Sequence, residues 1–208
     1  MKKPFSRFAT AAVMFCCAAF AHAGVVFDSS LGNYSTKTPE TRTSSSNYAA
    51  VLSFTHDLTI KKFGVFTKVD NAQDIKFLIF DSALQDGVSS LLVSDLKSFS
   101  ATINQGFIYS DDLNFTFLAN HTYDIGIIGS TGSLTGFWGI NNYTQNGITE
   151  ISQNANIGPF LNPKTGGYAG VSPYVQLVTA DVPEPASLAL VGLGLLGFSA
   201  ARRKSKKA

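Results

Sequence analysis

The run Lys76-Phe77-Leu78-Ile79-Phe80-Asp81 decides the fold class of this chain. Successive side chains of a β-strand point to opposite faces, so four consecutive apolar residues leave such a strand without a polar face. A strand of that kind is covered on both sides by other parts of the protein. We therefore predict a central, buried strand over residues 74–80.

Further strands are predicted on both sides of this run, because short apolar segments rich in β-branched and aromatic residues alternate with turn formers. The two-residue period places Phe63, Val65 and Thr67 on one face of the preceding strand. The predicted segments are 25–27, 48–54, 58–69, 91–101, 107–109, 113–117, 122–128, 134–140, 147–151 and 174–179. The segment 91–101 also fits a short helix.

Two stretches are predicted to be long loops. Residues 32–47 are nearly all polar, and residues 152–173 contain three prolines together with several glycines. The many short strands predict a single all-β domain over residues 24–181, built as a β-sandwich or a jelly roll. Its 158 residues are enough to bury a sizeable core.

Three of the strand segments carry a family resemblance. The stretches 59–66, 76–81 and 115–126 resemble segments of extracellular sandwich modules on bacterial surface proteins. The resemblance covers only part of the domain and includes no catalytic motif. It implies a sandwich fold and a binding role.

The start of the chain has the pattern of a secretory signal peptide. Lys2, Lys3 and Arg7 precede an apolar core over residues 8–20, and the small-x-small site Ala21-His22-Ala23 follows. This pattern predicts a signal peptide over residues 1–23, cleaved between Ala23 and Gly24. Both cysteines of the chain lie inside the apolar core, so the exported part should contain no disulfide.

The charge of the exported part differs from that of the whole chain. Residues 24–181 hold eight basic and thirteen acidic residues, a net charge of −5, because the other basic residues lie in the two terminal segments. A protein that binds the phosphate backbone needs a basic surface. We therefore exclude DNA and RNA as partners.

The last 27 residues read as a sorting tail. Val182-Pro183-Glu184-Pro185 comes first, and both prolines favour an extended, rigid peptide. The uncharged run 186–201 predicts a transmembrane helix of 16 residues, which at about 1.5 Å each spans roughly 24 Å of the bilayer. Five basic residues then halt transfer on the cytoplasmic side: Arg202, Arg203, Lys204, Lys206 and Lys207.

This order of Pro-Glu-Pro, short apolar helix and basic terminus resembles the PEP-CTERM sorting signal of Gram-negative bacteria. The resemblance implies processing by a membrane-embedded exosortase, a transient stay in the inner membrane and export to the cell surface or the extracellular matrix. A plain single-pass anchor that no enzyme cuts is the alternative.

Candidate catalytic and metal-binding groups are few. His56 beside Asp57 and His121 near Asp124 offer a base and an orienting acid, but no nucleophile motif accompanies them. Acidic loops at Asp81 with Asp86, and at Asp111 with Asp112, lack the spacing of a calcium loop. We therefore predict no catalytic residue, no metal and no cofactor.

A carbohydrate contact is predicted at Phe137, Trp138 and Tyr143, because aromatic faces stack on pyranose rings and the stretch 132–142 is rich in glycine and asparagine. A lone tryptophan in an apolar strand also fits the core. The expected function is that of a non-enzymatic surface or matrix protein associated with exopolysaccharide or biofilm matrix. The alternatives are a secreted hydrolase of matrix polymers and an unprocessed single-pass envelope protein.

Overall fold

The computed structural model describes residues 24–32, 38–42, 47–82, 89–131, 134–139, 142–169 and 172–180. The predicted signal peptide and the predicted sorting tail lie outside these ranges. Residues Gly24–Ala180 cluster into one unit of their own. Over the described ranges, no helix has the length and apolar character needed to cross a bilayer.

The described residues form an all-β fold. Its strands are β1 Val25–Asp28, β2 Thr38–Arg42, β3 Asn47–Phe54, β4 Leu58–Ile60, β5 Lys62–Val69, β6 Gln73–Asp81, β7 Ser90–Phe99, β8 Ile103–Tyr109, β9 Phe115–Phe117, β10 His121–Gly129, β11 Leu134–Gly139, β12 Tyr143–Gln145, β13 Ile148–Gly158, β14 Lys164–Ala169, β15 Ser172–Pro173 and β16 Val175–Val178. A short 3-10 turn, Ser29–Leu31, follows β1.

The described residues form two seven-stranded sheets and a two-stranded ribbon. Sheet A has the order β1-β16-β5-β11-β15, with β2 also on β11 and β8 on β5. Sheet B has the order β12-β13-β3-β10-β6-β7, with β14 also on β13. The ribbon pairs β4 with β9. The sequence-adjacent strands β7 and β8 therefore lie on different sheets, each at an edge.

The two sheets share one hydrophobic core. Its buried members are Phe27, Ala50, Leu52, Phe54, Ile60, Phe63, Val65, Val69, Ile75, Phe77, Ile79, Ile108, Phe117, Tyr123, Ile125, Ile127, Leu134, Ile148, Val175 and Leu177. The predicted face of Phe63, Val65 and Thr67 is confirmed, since each of the three is at most 3% exposed.

Strand β6 is covered on both faces, as its apolar run predicts. Phe77 and Ile79 point into the shared core. Leu78 and Phe80 belong to a second buried cluster, against which Phe160 packs. The strand lies between β10 and β7, so its backbone is paired on both sides as well.

Three sequence predictions about the elements are wrong. The single strand over 58–69 is interrupted at Lys61, whose backbone N–H donates to Val178 and whose carbonyl accepts from Leu113. The loop over 32–47 contains β2, and the loop over 152–173 contains the end of β13 together with β14 and β15. Strands β2 and β14 lie outside the main strand order of their sheets, where a strand needs little apolar patterning.

The end predicted at Ile151 has a local cause. The pairing of β13 with β3 is irregular between Ile151 and Asn154, and it resumes from Asn154 to Ile157. A bulge of this kind interrupts the alternation of side chains, so a sequence pattern ends while the strand continues.

Candidate functional site

The residues of the predicted carbohydrate contact lie on two sheets. Phe137 is on β11 of sheet A, is 6% exposed and packs its ring 5.1 Å from that of Phe66. Tyr143 is on β12 of sheet B and is half-buried, with its ring 5.8 Å from that of Phe27. The backbone of Trp138 pairs with Pro173, and its side chain is outside the description. The carbohydrate contact at these three residues stays a prediction.

His121 pairs with Asp81 and not with Asp124, the acid that lies near it in the sequence. His121 Nε2 lies 2.6 Å from Asp81 Oδ1, because β10 and β6 are neighbours in sheet B. Asp124 is fully buried and accepts a hydrogen bond from Thr165. Asp57 accepts from the backbone of Ala119 at the turn before β10. His121 and Asp81 form a half-exposed pair with the geometry of a base and its orienting acid.

The acidic loops are ion-paired where they are described. Asp111 contacts Lys97 at 2.8 Å and Asp112 contacts Lys61 at 3.4 Å, while Asp86 lies outside the described residues. Within the described ranges, no group of three or more His, Cys, Asp or Glu residues has an arrangement that could hold a metal ion.

A cleft opens between the edge strands β7 and β8. It has a volume of about 560 Å³ and mixes aromatic, apolar and charged side chains. Its lining residues are Lys62, Lys97, Phe99, Ile108, Tyr109, Ser110, Asp111 and Asp112.

Tyr109 is held across strand β5 in this cleft. Gly64 of β5 pairs with Tyr109 on one side and with Gln176 of β16 on the other. The Tyr109 hydroxyl donates to Gln176 Oε1 at 2.5 Å, so the ring passes over Gly64. A Cβ atom at Gly64 would lie 2.6 Å from Tyr109 Cε1, closer than real Cβ atoms approach a neighbour. Any residue other than glycine at position 64 would therefore displace the Tyr109 ring.

The hydrogen bonds around Tyr109 continue away from the cleft. Gln176 Nε2 donates to Asp28 Oδ2, and Asp28 also accepts from the backbone N–H and the hydroxyl of Ser30. Burial, followed by the nearby Asp28 carboxylate, raises the pKa of Tyr109. The phenol is therefore neutral near pH 7 and remains a hydrogen-bond donor.

A second network fixes the rim of the cleft. Lys97 donates to the carbonyl of Tyr109 and to the carboxylate of Asp111, so one side chain links the edges of β7 and β8. The backbone N–H of Asp111 donates to Asp95. Ser110 is buried, accepts from the backbone of Phe63 and donates to the carbonyl of Asp111. The rim residues are thus positioned from both sheets.

Sequence reasoning missed this cleft, although part of its signal was present. Alternation along residues 90–99 places Asp95 and Lys97 on the same face as Val93 and Phe99. Charged residues on the inward face of a strand are a known feature of sheet edges. The contact of Tyr109 with Gly64 and Gln176 depends on sheet pairing, which no local pattern reveals.

Comparison with known proteins identifies the tail and not the domain. No curated protein and no solved structure matches the chain. A family model described as the PEP-CTERM protein-sorting motif matches residues 181–204. The match includes Val182, Pro183, Glu184 and Pro185 and the first basic residues after the apolar run. The chain therefore carries a PEP-CTERM sorting motif, which implies an exported protein that passes through a membrane and is processed by an exosortase.

Proposed function

We propose that this protein is a non-enzymatic component of the cell surface or extracellular matrix of a Gram-negative bacterium, where its domain associates with exopolysaccharide. The observation that carries the proposal is the sorting motif at residues 181–204, which begins three residues after the last described strand ends at Val178. A protein exported by this route acts outside the cytoplasm, where it is in reach of matrix polysaccharides.

The domain has properties that support such a role. Two antiparallel sheets share one core, the layered arrangement of a β-sandwich. Residues 24–181 contain no cysteine, so the core alone stabilises the fold in an oxidising compartment. Their net charge of −5 favours an uncharged polymer over a polyanion.

The route of export is part of the same proposal. A signal peptide cleaved between Ala23 and Gly24 starts transfer, and the helix 186–201 holds the chain in the inner membrane. The basic terminus stays on the cytoplasmic side until the exosortase acts near Pro183–Glu184–Pro185. Deleting the exosortase of the producing cell should retain the full tail in the membrane fraction. Unchanged recovery at the cell surface in that strain contradicts the route.

A secreted hydrolase is the second candidate, and the His121–Asp81 pair is the observation that favours it. A base held by an orienting acid needs a nucleophile or a bound water to act. Release of reducing ends from matrix polysaccharide, abolished in His121→Ala, is the result that this candidate requires. Polymer binding without release of reducing ends, equal in the parent and in His121→Ala, favours the non-enzymatic role.

A further inference from the structure

We propose that the cleft between β7 and β8 is a binding site for an uncharged polysaccharide, with the ring of Tyr109 as the surface on which a pyranose stacks. The inference rests on the proposed association with exopolysaccharide, and it assigns that association to residues outside the contact predicted at Phe137, Trp138 and Tyr143.

The position of Tyr109 provides the first argument. Its hydroxyl is bound to Gln176 and its ring lies over Gly64, so the ring is fixed before any ligand arrives. One face of the half-buried ring carries the Lys62 ammonium 5.1 Å from its centre, on a flexible side chain that a ligand can displace. The carbon-bound hydrogens of a pyranose pack against such a face, and a fixed ring loses little conformational entropy on binding.

The polar rim provides the second argument. Sugar hydroxyl groups both donate and accept hydrogen bonds, so a site for them needs both kinds of partner. Lys97 and Lys62 offer donors, and the carboxylates of Asp111 and Asp112 offer acceptors. The Asp111 and Asp112 side chains are 65% and 60% exposed, so they can accept from a ligand without losing Lys97 or Lys61.

The charge balance of the cleft selects the class of sugar. Lys97 is paired with Asp111, and Lys61 with Asp112. Lys62 lies 5.1 Å from the centre of the Tyr109 ring, a cation–π contact, and Asp95 and Asp28 lie nearby in the two networks. No excess of positive charge remains for a uronate polymer. The volume of about 560 Å³ is in the range of roughly 300–1,000 Å³ that small-ligand sites occupy.

The test measures binding of the full-length chain, purified in mild detergent, to two sets of probes. The neutral set is dextran, galactomannan and mixed-linkage β-glucan, and the uronate set is alginate and polygalacturonate. We expect binding to at least one neutral polymer, weakened about tenfold in Tyr109→Ala, a change equivalent to about 1.4 kcal/mol. Gly64→Ala should also weaken binding, because the new Cβ displaces the ring. Tyr109→Phe keeps the stacking surface but loses the hydrogen bond to Gln176 that fixes the ring, so it should weaken binding less than Tyr109→Ala does.

Tyr48→Ala is the matched control, since it removes a half-buried tyrosine of sheet B that lies outside both candidate sites. Tyr143→Ala tests the predicted contact separately. Neutral-polymer binding that is unchanged in Tyr109→Ala and Gly64→Ala overturns the cleft site and leaves the proposed function intact. Loss of binding in Tyr143→Ala alone means that the polymer binds at the predicted contact instead. Binding only to uronate polymers overturns the charge argument. Binding to no polymer overturns both the site and the proposed function.

Circular dichroism and thermal unfolding of each variant separate a lost site from a lost fold. If Tyr109→Ala does not fold, Asp112→Ala takes its place, because that side chain is exposed at the rim. A severalfold loss of affinity in Asp112→Ala supports the cleft, and unchanged affinity overturns it.

Discussion

Three glycines of the domain separate the cost of backbone conformation from the cost of a steric clash. Gly147 has φ +73, and a Cβ there would lie 2.4 Å from Thr55 Oγ1. Gly167 has φ +66 with no neighbour within 4 Å, and Gly166 has open space without a positive φ. Replacement by alanine should therefore destabilise the protein in the order Gly147, Gly167, Gly166.

The expected losses in the free energy of unfolding follow from the same geometry. Gly166→Ala should change the free energy of unfolding by less than about 0.5 kcal/mol. Gly167→Ala should cost about 1 to 2 kcal/mol for the left-handed backbone, and Gly147→Ala should cost more because the clash is added. Urea unfolding of the three variants gives the order. A Gly147→Ala variant as stable as Gly166→Ala contradicts this account of the turn before β13.

Tyr174 makes the free energy of unfolding depend on pH in the alkaline range. Burial, followed by the nearby Glu150 carboxylate, raises the pKa of Tyr174 to about 12. In the unfolded chain the phenol ionises near its ordinary pKa of about 10, so the folded state holds the proton more tightly between these two values. This contribution is complete below about pH 10 and is lost as the pH rises towards 12, by at most about 3 kcal/mol.

The measurement is the free energy of unfolding by urea at about pH 9 and at about pH 11. The parent should lose stability between the two, and Tyr174→Phe should lose less because it has no proton to release. Equal losses in the parent and in Tyr174→Phe contradict the assignment of the alkaline dependence to this residue.

At the scale of elements, β6 and β7 are neighbours with opposite roles. Ile79 of β6 is fully buried in the shared core, whereas Leu96 of the edge strand β7 is 54% exposed. Ile79→Val removes one methyl group and should destabilise by about 0.5 to 1.5 kcal/mol. Leu96→Ala removes three carbon atoms and should cost less than about 0.5 kcal/mol.

Chemical denaturation of both variants tests this difference between strands. The smaller deletion should have the larger effect, because burial and not size decides the cost. A Leu96→Ala variant that is the less stable of the two indicates that the outer face of β7 is covered in solution, by another copy or another molecule.

Strands were predictable where burial imposes a pattern. The runs in β3, β6 and β10 are apolar because consecutive residues of each strand, which point to opposite faces, are buried. Strands β2 and β14 lie outside the main strand order and carry no such pattern, so their sequences resemble loops. The hairpin between β12 and β13 had a signal in Asn146-Gly147, whose φ values of 50 and 73 suit a tight turn.

The cleft was less predictable than the strands for a physical reason. Its polar rim comes from β7 and β8, which are consecutive in the sequence, and the rim residues of β7 follow a recognisable alternation. The position of the Tyr109 ring depends instead on Gly64 and Gln176, which lie far from Tyr109 in the sequence. Antiparallel register brings the three together. The sorting motif has the opposite character, because a contiguous peptide defines it and no tertiary contact is needed to recognise it.

At the scale of the whole molecule, the cysteine content reports signal-peptide cleavage. Both cysteines of the chain, Cys16 and Cys17, lie in the predicted signal peptide. Cleavage between Ala23 and Gly24 should leave an exported protein with no thiol after complete reduction. A thiol titration of the denatured, reduced protein that finds two thiols per chain contradicts cleavage at this site.

Intact-mass and peptide mass spectrometry of the protein recovered from the surface of the producing cells tests the account most directly. We expect a carboxyl terminus between Pro183 and Ala186 and no peptide from the apolar run 186–201. Such a mass means that the motif at residues 181–204 is used as a processing signal. A surface protein that retains the peptide spanning Leu188 to Phe198 contradicts processing and identifies an uncut membrane anchor.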